Sequence, residues 1–167
     1  MNRRMRMIIM ALAASVAWAI DIATPLSAVT EAYHNGDLAK AEELANRHIT
    51  WDSHSVDSRF VTARVLTARG KWADAISLLR ANIKESPRDF RSLHLLGECH
   101  VRIGKLADGV VCLKKALELN AYYGPSYLWL AKATADKKAQ MGLLENVLVM
   151  EERDTPTAKE ALRMLDA

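Results

Sequence analysis

Asn35-Gly36-Asp37-Leu38-Ala39-Lys40-Ala41, Arg69-Gly70-Lys71-Trp72-Ala73-Asp74-Ala75 and Ile103-Gly104-Lys105-Leu106-Ala107-Asp108-Gly109 are three copies of one phrase, spaced 34 residues apart. After its first residue each reads glycine, charge, large apolar residue, alanine, charge, small residue. A fixed period of this length marks a chain built from stacked supersecondary units, each burying its apolar face against the next. Glycine suits the end of a helix, where the chain often turns through a left-handed conformation that costs other residues more.

Working outward, the same period organises the flanking residues. Val29, Ala63, Gly97 and Ala131 fall 34 apart in the repeats' first helices, and Ala41, Ala75, Gly109 and Leu143 in their second helices. These are small where two helices must cross closely, with Leu143 the departure. One turn on, Ala45, Leu79, Leu113 and Val147 supply larger side chains for the core. Lys138 stands where a fourth glycine is due, so the fourth copy is degraded, although Leu143, Leu144, Val147 and Leu148 keep a helical apolar stripe. All four prolines (Pro25, Pro87, Pro125, Pro156) are expected at first helical positions, where no hydrogen bond is lost, and Thr24, Ser86, Thr155 and Ser55 are expected caps. The predicted helices are 24–35, 38–50, 56–69, 72–84, 88–103, 106–119, 125–136, 139–151 and 156–165, and no stretch alternates as a strand does.

A 34-residue period with this turn resembles the tetratricopeptide repeat (TPR). The resemblance covers residues 22 to about 157, in repeats of about 22–55, 56–89, 90–123 and a degenerate 124–157. The third is the best match, with Leu96-Gly97 in its first helix and Lys115-Ala116-Leu117-Glu118-Leu119-Asn120, close to the family consensus, closing its second. The implied fold is all-α, an antiparallel helix-hairpin solenoid over residues 20–167. Residues 156–166 form its capping helix, with Lys159, Glu160, Arg163 and Asp166 on a polar outer face.

The resemblance also implies a function, binding of a protein or peptide in a groove lined by the first helices. Carried onto this chain, the peptide-binding positions are Tyr33, Phe60, Arg64, Arg91, His94, Glu98, Arg102, Leu128, Trp129 and Lys132. Aromatic residues there would anchor apolar side chains and arginines would hold carboxylates, so a partner with hydrophobic anchors and some acidic character is expected. The plainer alternative is that the aromatics pack on neighbouring helices and the arginines are solvated. TPR domains that clamp a chaperone's terminal carboxylate use lysines and asparagines, where this chain has Phe60, Arg64, His94 and Glu98, so that mode does not fit.

The chain has 167 residues, a formal charge of +3 and two cysteines. The excess charge lies in Arg3, Arg4 and Arg6, followed by an uncharged run from Met7 to Ile20. A basic head, an apolar stretch too short for a comfortable span and the small-x-small Ala17-Trp18-Ala19 predict a signal peptide, residues 1–19, and export to the periplasm if the source is bacterial. An uncleaved anchor or a first core helix are the alternatives. Without residues 1–19 the formal charge is zero, so basicity is no argument for nucleic acid.

No HExxH, CxxC, phosphate loop or nucleophile elbow occurs, and no enzyme, cofactor, metal or small-molecule substrate is expected. His94 and Glu98, four apart, would be a metal pair only with a third ligand, and a surface hydrogen bond is the simpler reading. Cys99 is expected as a core thiol, and the helical phases of Cys99 and Cys112 argue against a disulfide. The expected function is a non-catalytic adaptor assembling an envelope, pilus or secretion complex. The alternative is a cytoplasmic chaperone of the type III secretion kind holding an unfolded client. Association with a membrane complex and self-association through repeat edges both stay open.

Overall fold

The computed structural model describes residues 25–166, so the expected signal segment and Thr24 lie outside the described residues. Among these residues there are nine helices and no strand. They are α1 (Leu26–His34), α2 (Leu38–Trp51), α3 (Val56–Ala68), α4 (Trp72–Glu85), α5 (Phe90–Arg102), α6 (Leu106–Leu119), α7 (Gly124–Ala133), α8 (Lys137–Met150) and α9 (Pro156–Leu165). The chain divides after Arg69 into two compact units. In the first, α1, α2 and α3 pack in sequence around Val29, Ala32, Ala41, Ala45, Val61 and Val65. In the second, α4 to α9 pack each on the next, with Leu79, Leu113, Leu144 and Val147 fully buried. The sequence therefore folds as all-α, in consecutively packed antiparallel helix hairpins.

The turn glycines have the conformation their spacing predicts. Gly36, Gly70 and Gly104 have φ of 78°, 76° and 79°, and a Cβ at each would meet nothing within 4 Å. The demand is therefore on the backbone and not on space. Around Gly36, Asp37 donates its amide to Ala32 O at 3.0 Å and Gly36 to Tyr33 O at 3.1 Å, satisfying the last carbonyls of α1. Gly104 repeats this, with Lys105 donating to His100 O at 2.8 Å.

Close crossing is a separate demand. A Cβ on Gly97 would lie 2.6 Å from Leu113 Cγ and 3.1 Å from Gly109 O. One on Gly109 would lie 2.7 Å from Val101 Cγ2 and 3.0 Å from Gly97 O. Here α5 and α6 touch backbone to backbone, and only glycine fits both sides.

The proline expectation needs correction. Only Pro156 opens a helix as its first residue; Pro125 follows Gly124, and Pro25 precedes Leu26. Pro87 lies in a turn, where Ser86 ends α4 and the Asp89 carboxylate caps α5 by accepting from the Arg91 amide at 3.3 Å. A carboxylate three residues before Ser92 is a stronger start signal than the proline. Ser55 and Thr155 do cap, accepting from Ser58 N at 3.2 Å and Ala158 N at 3.1 Å.

A second correction concerns the fourth hairpin. α7 ends at Ala133 and not near 136, because Thr134 turns extended (φ −100°, ψ 124°). Its hydroxyl donates to Leu130 O at 2.7 Å, and Gln140 Nε2 donates to Ala131 O at 3.0 Å. The Asp136 carboxylate then accepts from Ala139 N at 2.7 Å and starts α8 early.

One periodic feature escaped the sequence reading. Ser58, Ser92 and Ser126 are also 34 apart, each the third residue of a first helix and each fully buried. Ser58 Oγ donates to Asp52 at 3.2 Å and meets His48 Nε2 at 2.9 Å. Ser92 Oγ donates to Asp89 at 2.7 Å and accepts from Asn82 Nδ2 at 3.1 Å. The third partner would be Ala116, which has no polar group, and Ser126 turns instead to His94.

Candidate protein-binding face

In the second unit the positions carried over from the repeat family converge on α5 and α7. His94 is the fifth residue of α5, 7% exposed, with Nδ1 3.0 Å from Ser126 Oγ and its ring edge-on to Tyr123 at 4.8 Å. Burial pushes its pKa down to about 4, so the ring is neutral at ordinary pH. One turn later, Glu98 approaches His94 Nε2 at 3.8 Å and accepts from Arg102 Nε at 3.0 Å. Burial raises the Glu98 pKa, while the charge and hydrogen bond of Arg102 and the charge of Lys132 pull it back. Because a carboxylate lies beside Nε2, the tautomer with its proton on Nε2 is favoured, and the Ser126 hydroxyl then donates to Nδ1.

Arg102 continues the network to α7. Its guanidinium lies 4.8 Å from the centroid of the Trp129 ring, and Lys132 Nζ lies 4.7 Å from the same centroid. Lys132 also pairs with Glu160 of α9 at 3.0 Å, and Arg163 pairs with Glu160 at 2.7 Å. The hydrogen bond from Lys132 is the chief reason that the Glu160 carboxyl falls below its usual range. His94, Glu98, Arg102, Trp129 and Lys132 are thus brought together by the fold. Glu160 and Arg163, read from sequence as the outer face of a cap, join them; a terminal helix gives no sequence signal for the direction in which its charges turn.

Other expected positions fare differently. Leu128 is a correction: it is 7% exposed and belongs to the apolar cluster of Ala131, Leu144, Val147 and Ala161, so it lines the core and no groove. Helical phase explains this, since Leu128 stands three residues before Ala131 on the face that meets α8 and α9. Arg91 pairs with Asp89 at 3.1 Å at the start of α5. The first unit holds the remaining three. Phe60 and Tyr33 are half-buried against its core, and the Arg64 guanidinium lies over the Tyr33 ring at 4.5 Å. Arg64 Nε is shielded from solvent with no hydrogen-bond partner, so the arginine is held by the ring.

Ser126, His94 and Glu98 follow the order of a nucleophilic triad, but Ser126 is fully buried and no substrate carbonyl can reach its hydroxyl. Among the described residues no three His, Cys, Asp or Glu side chains converge to hold a metal ion. Cys99 is the buried core thiol expected, and neither Cys99 nor the half-buried Cys112 is in a disulfide. No helix among the described residues is long and apolar enough to cross a membrane.

Comparison with known proteins agrees with this architecture. Residues 34–116 match a family model described as anaphase-promoting complex, cyclosome, subunit 3. No curated protein matches the chain by sequence. Among solved structures, a thermophilic TPR protein of Thermus thermophilus is similar at a TM-score of 0.77 and 22% identity, over 84% of this chain and 79% of that one. MamA from Desulfovibrio magneticus is similar at a TM-score of 0.63 and 18% identity, over 85% of this chain and 76% of that one. An O-GlcNAc transferase mutant of Thermobaculum terrenum is similar at a TM-score of 0.69 and 25% identity, over 77% of this chain but only 26% of the enzyme. The 34-residue period, the left-handed glycine turns, the glycine crossing of α5 on α6 and these likenesses lead to one conclusion: the chain is a tetratricopeptide-repeat protein.

Proposed function

We propose that this protein is a non-catalytic scaffold that binds a polypeptide segment on the first helices of its repeats, in the assembly of an envelope, pilus or secretion complex. The observation that carries the reading is the cluster of Arg102, Trp129 and Lys132. An aromatic ring flanked by partly exposed cations, on two successive first helices, is costly to desolvate and has no role in the apolar core. The envelope setting rests on the basic head and apolar run of residues 3–20, which support export.

Two measurements test the two levels. Affinity capture from the source organism, with the intact protein beside an Arg102→Gln/Lys132→Gln variant of equal thermal stability, should lose specific partners in the variant. Unchanged capture would remove this face from the function. Intact mass of the secreted or periplasmic protein should correspond to a chain starting at Ile20, and a chain retained at full length in the cytoplasm would end the export reading.

A further inference from the structure

We propose that the α5–α7 face recognises an acidic segment of its partner by charge, with Trp129 serving as the seat of two cations and not as an apolar pocket. This rests on the reading that the face binds a polypeptide, and it narrows the class of sequence that fits.

The first argument is occupancy. An aromatic ring serves as an anchor pocket when its face is open to an incoming apolar side chain. Here Arg102 and Lys132 both lie over the Trp129 ring, each within 5 Å of its centroid, in the range where a cation is drawn to the ring's negative face. The neighbouring leucines, Leu128 and Leu130, are buried and offer no substitute. An apolar side chain docking on the ring would have to displace a guanidinium or an ammonium from a favourable seat.

The second argument is which charges face the solvent. Arg102 has 40% of its side chain exposed against 14% for its partner Glu98, and Arg163 has 78% against 26% for its partner Glu160. In these two pairs the carboxylate lies beneath and the guanidinium above, while Lys132, 28% exposed, stands level with Glu160 at 26%. His94 adds no charge of its own, and three cations stand against two carboxylates in the cluster. The Arg102 and Lys132 charges share one ring and so stand within about 10 Å of each other, one Debye length at 0.1 M salt, where their fields add.

The third argument is preorganisation. Arg102 is held by the ring and by Glu98, and Lys132 by the ring and by Glu160. Much of the rotamer entropy that an exposed lysine or arginine loses on binding is already lost here. A carboxylate arriving between them meets cations fixed in place, and guanidinium and ammonium protons beyond those used by Glu98 and Glu160 remain to donate.

The test uses the full chain and two short peptides of equal length, one rich in Asp and Glu, the other neutral and carrying Leu and Phe. Binding is followed by fluorescence anisotropy at low and at raised salt. The expected result is preference for the acidic peptide, weakened about tenfold by raising the salt through the physiological range. Arg102→Gln/Lys132→Gln should weaken it about tenfold further at low salt, while Trp129→Phe, which keeps a ring beneath the cations, should stay within about threefold. Thermal melts confirm that each variant folds. If the neutral peptide binds as tightly as the acidic one and depends on Trp129, the charge proposal is overturned and the peptide-binding reading survives. If neither peptide binds the folded protein, both fall. Tighter binding of a single-stranded oligonucleotide than of the acidic peptide would also overturn the proposal, because phosphate and not carboxylate would then be the preferred anion.

Discussion

The third and fourth hairpins are neighbours in one unit, and they solve the same problem differently. α5 and α6 are joined by a left-handed glycine and cross with Gly97 against Gly109. α7 and α8 have no glycine at either place. α7 has 10 residues where α5 has 13, and the chain leaves the helix early through Thr134, with Asp136 and Gln140 satisfying the backbone groups set free. The crossing place holds Leu143, half-buried against the cluster of Leu128, Ala131, Leu144 and Val147. A glycine turn lets a helix run its full length; without it, side chains must do the capping and the helix loses a turn. A glycine crossing brings backbones together, whereas at the corresponding place of the fourth hairpin a leucine side chain packs on the core.

This contrast can be broken most directly by exchanging the crossing residues. Gly109→Leu places a side chain on Val101 and on the Gly97 carbonyl, and is expected to cost about 3 kcal/mol or more by overpacking. Leu143→Gly, the reverse exchange, should cost about 1–2 kcal/mol, from lost helix propensity and lost half-burial. Urea denaturation midpoints of the two variants decide the matter; equal costs would mean that the two crossings are alike.

The link between the hairpins is sensitive to pH. His94 on α5 meets Ser126 on α7, and burial holds its folded pKa near 4, below the ordinary 6.5. Between those values the unfolded chain binds the extra proton, so His94 makes stability fall as pH drops from about 6.5 toward 4, by up to about 1.4 kcal/mol per pH unit. Glu98, whose folded pKa is raised, acts with the opposite sign: the folded state gains from protonation there as pH falls through the raised value. His94→Gln should therefore flatten the stability slope between pH 6.5 and 5, read from denaturation midpoints at stepped pH. An unchanged slope would show that another group titrates.

Smaller effects separate the two turns. Gln140→Ala removes one donor from Ala131 O, which still accepts from the Thr134 amide at 3.2 Å, so the expected loss is about 0.5–1 kcal/mol. Gly142→Ala in α8 meets nothing within 4 Å and should stabilise by about 0.5–1 kcal/mol through helix propensity. Gly97→Ala makes the same chemical change where Leu113 and the Gly109 carbonyl are in the way, and should destabilise. Thermal shifts of opposite sign at these two glycines would sharpen the contrast; shifts of one sign would undo it.

How much of this was legible in the sequence follows from which features repeat. Turn glycines, small crossing residues and the large core residues that follow them recur at 34, and each landed where the period put it. Helix starts were less legible: proline permits a first turn but does not compel one, and the Asp89 carboxylate decided the start of α5. The end of α7 was misplaced because a period says nothing once Lys138 has replaced the glycine. In the candidate site, Arg102, Trp129 and Lys132 were named from the sequence, yet their stacking on one ring depends on rotamers and on α9, which no spacing encodes. Leu128 was named wrongly because neighbouring residues on a helix differ by about 100° in direction, enough to exchange surface for core.

The buried serines give the stack a reading direction. Ser58 and Ser92 each look back to a residue ten positions earlier, His48 or Asn82, on the second helix of the preceding repeat, and Ser126 looks back to His94 on the preceding first helix. None is satisfied by its own hairpin alone in the way its predecessor satisfies it. A repeat cut out and spliced behind a stranger would carry a hydroxyl whose partner was left behind, sealed away from water. The second and fourth repeats are therefore not interchangeable modules, although both are two-helix hairpins: one expects an imidazole ten residues behind its serine, the other an alanine there and a histidine one helix further back. Shuffling the order of such repeats would scramble a grammar that the apolar core, indifferent to which methyl group fills it, does not enforce.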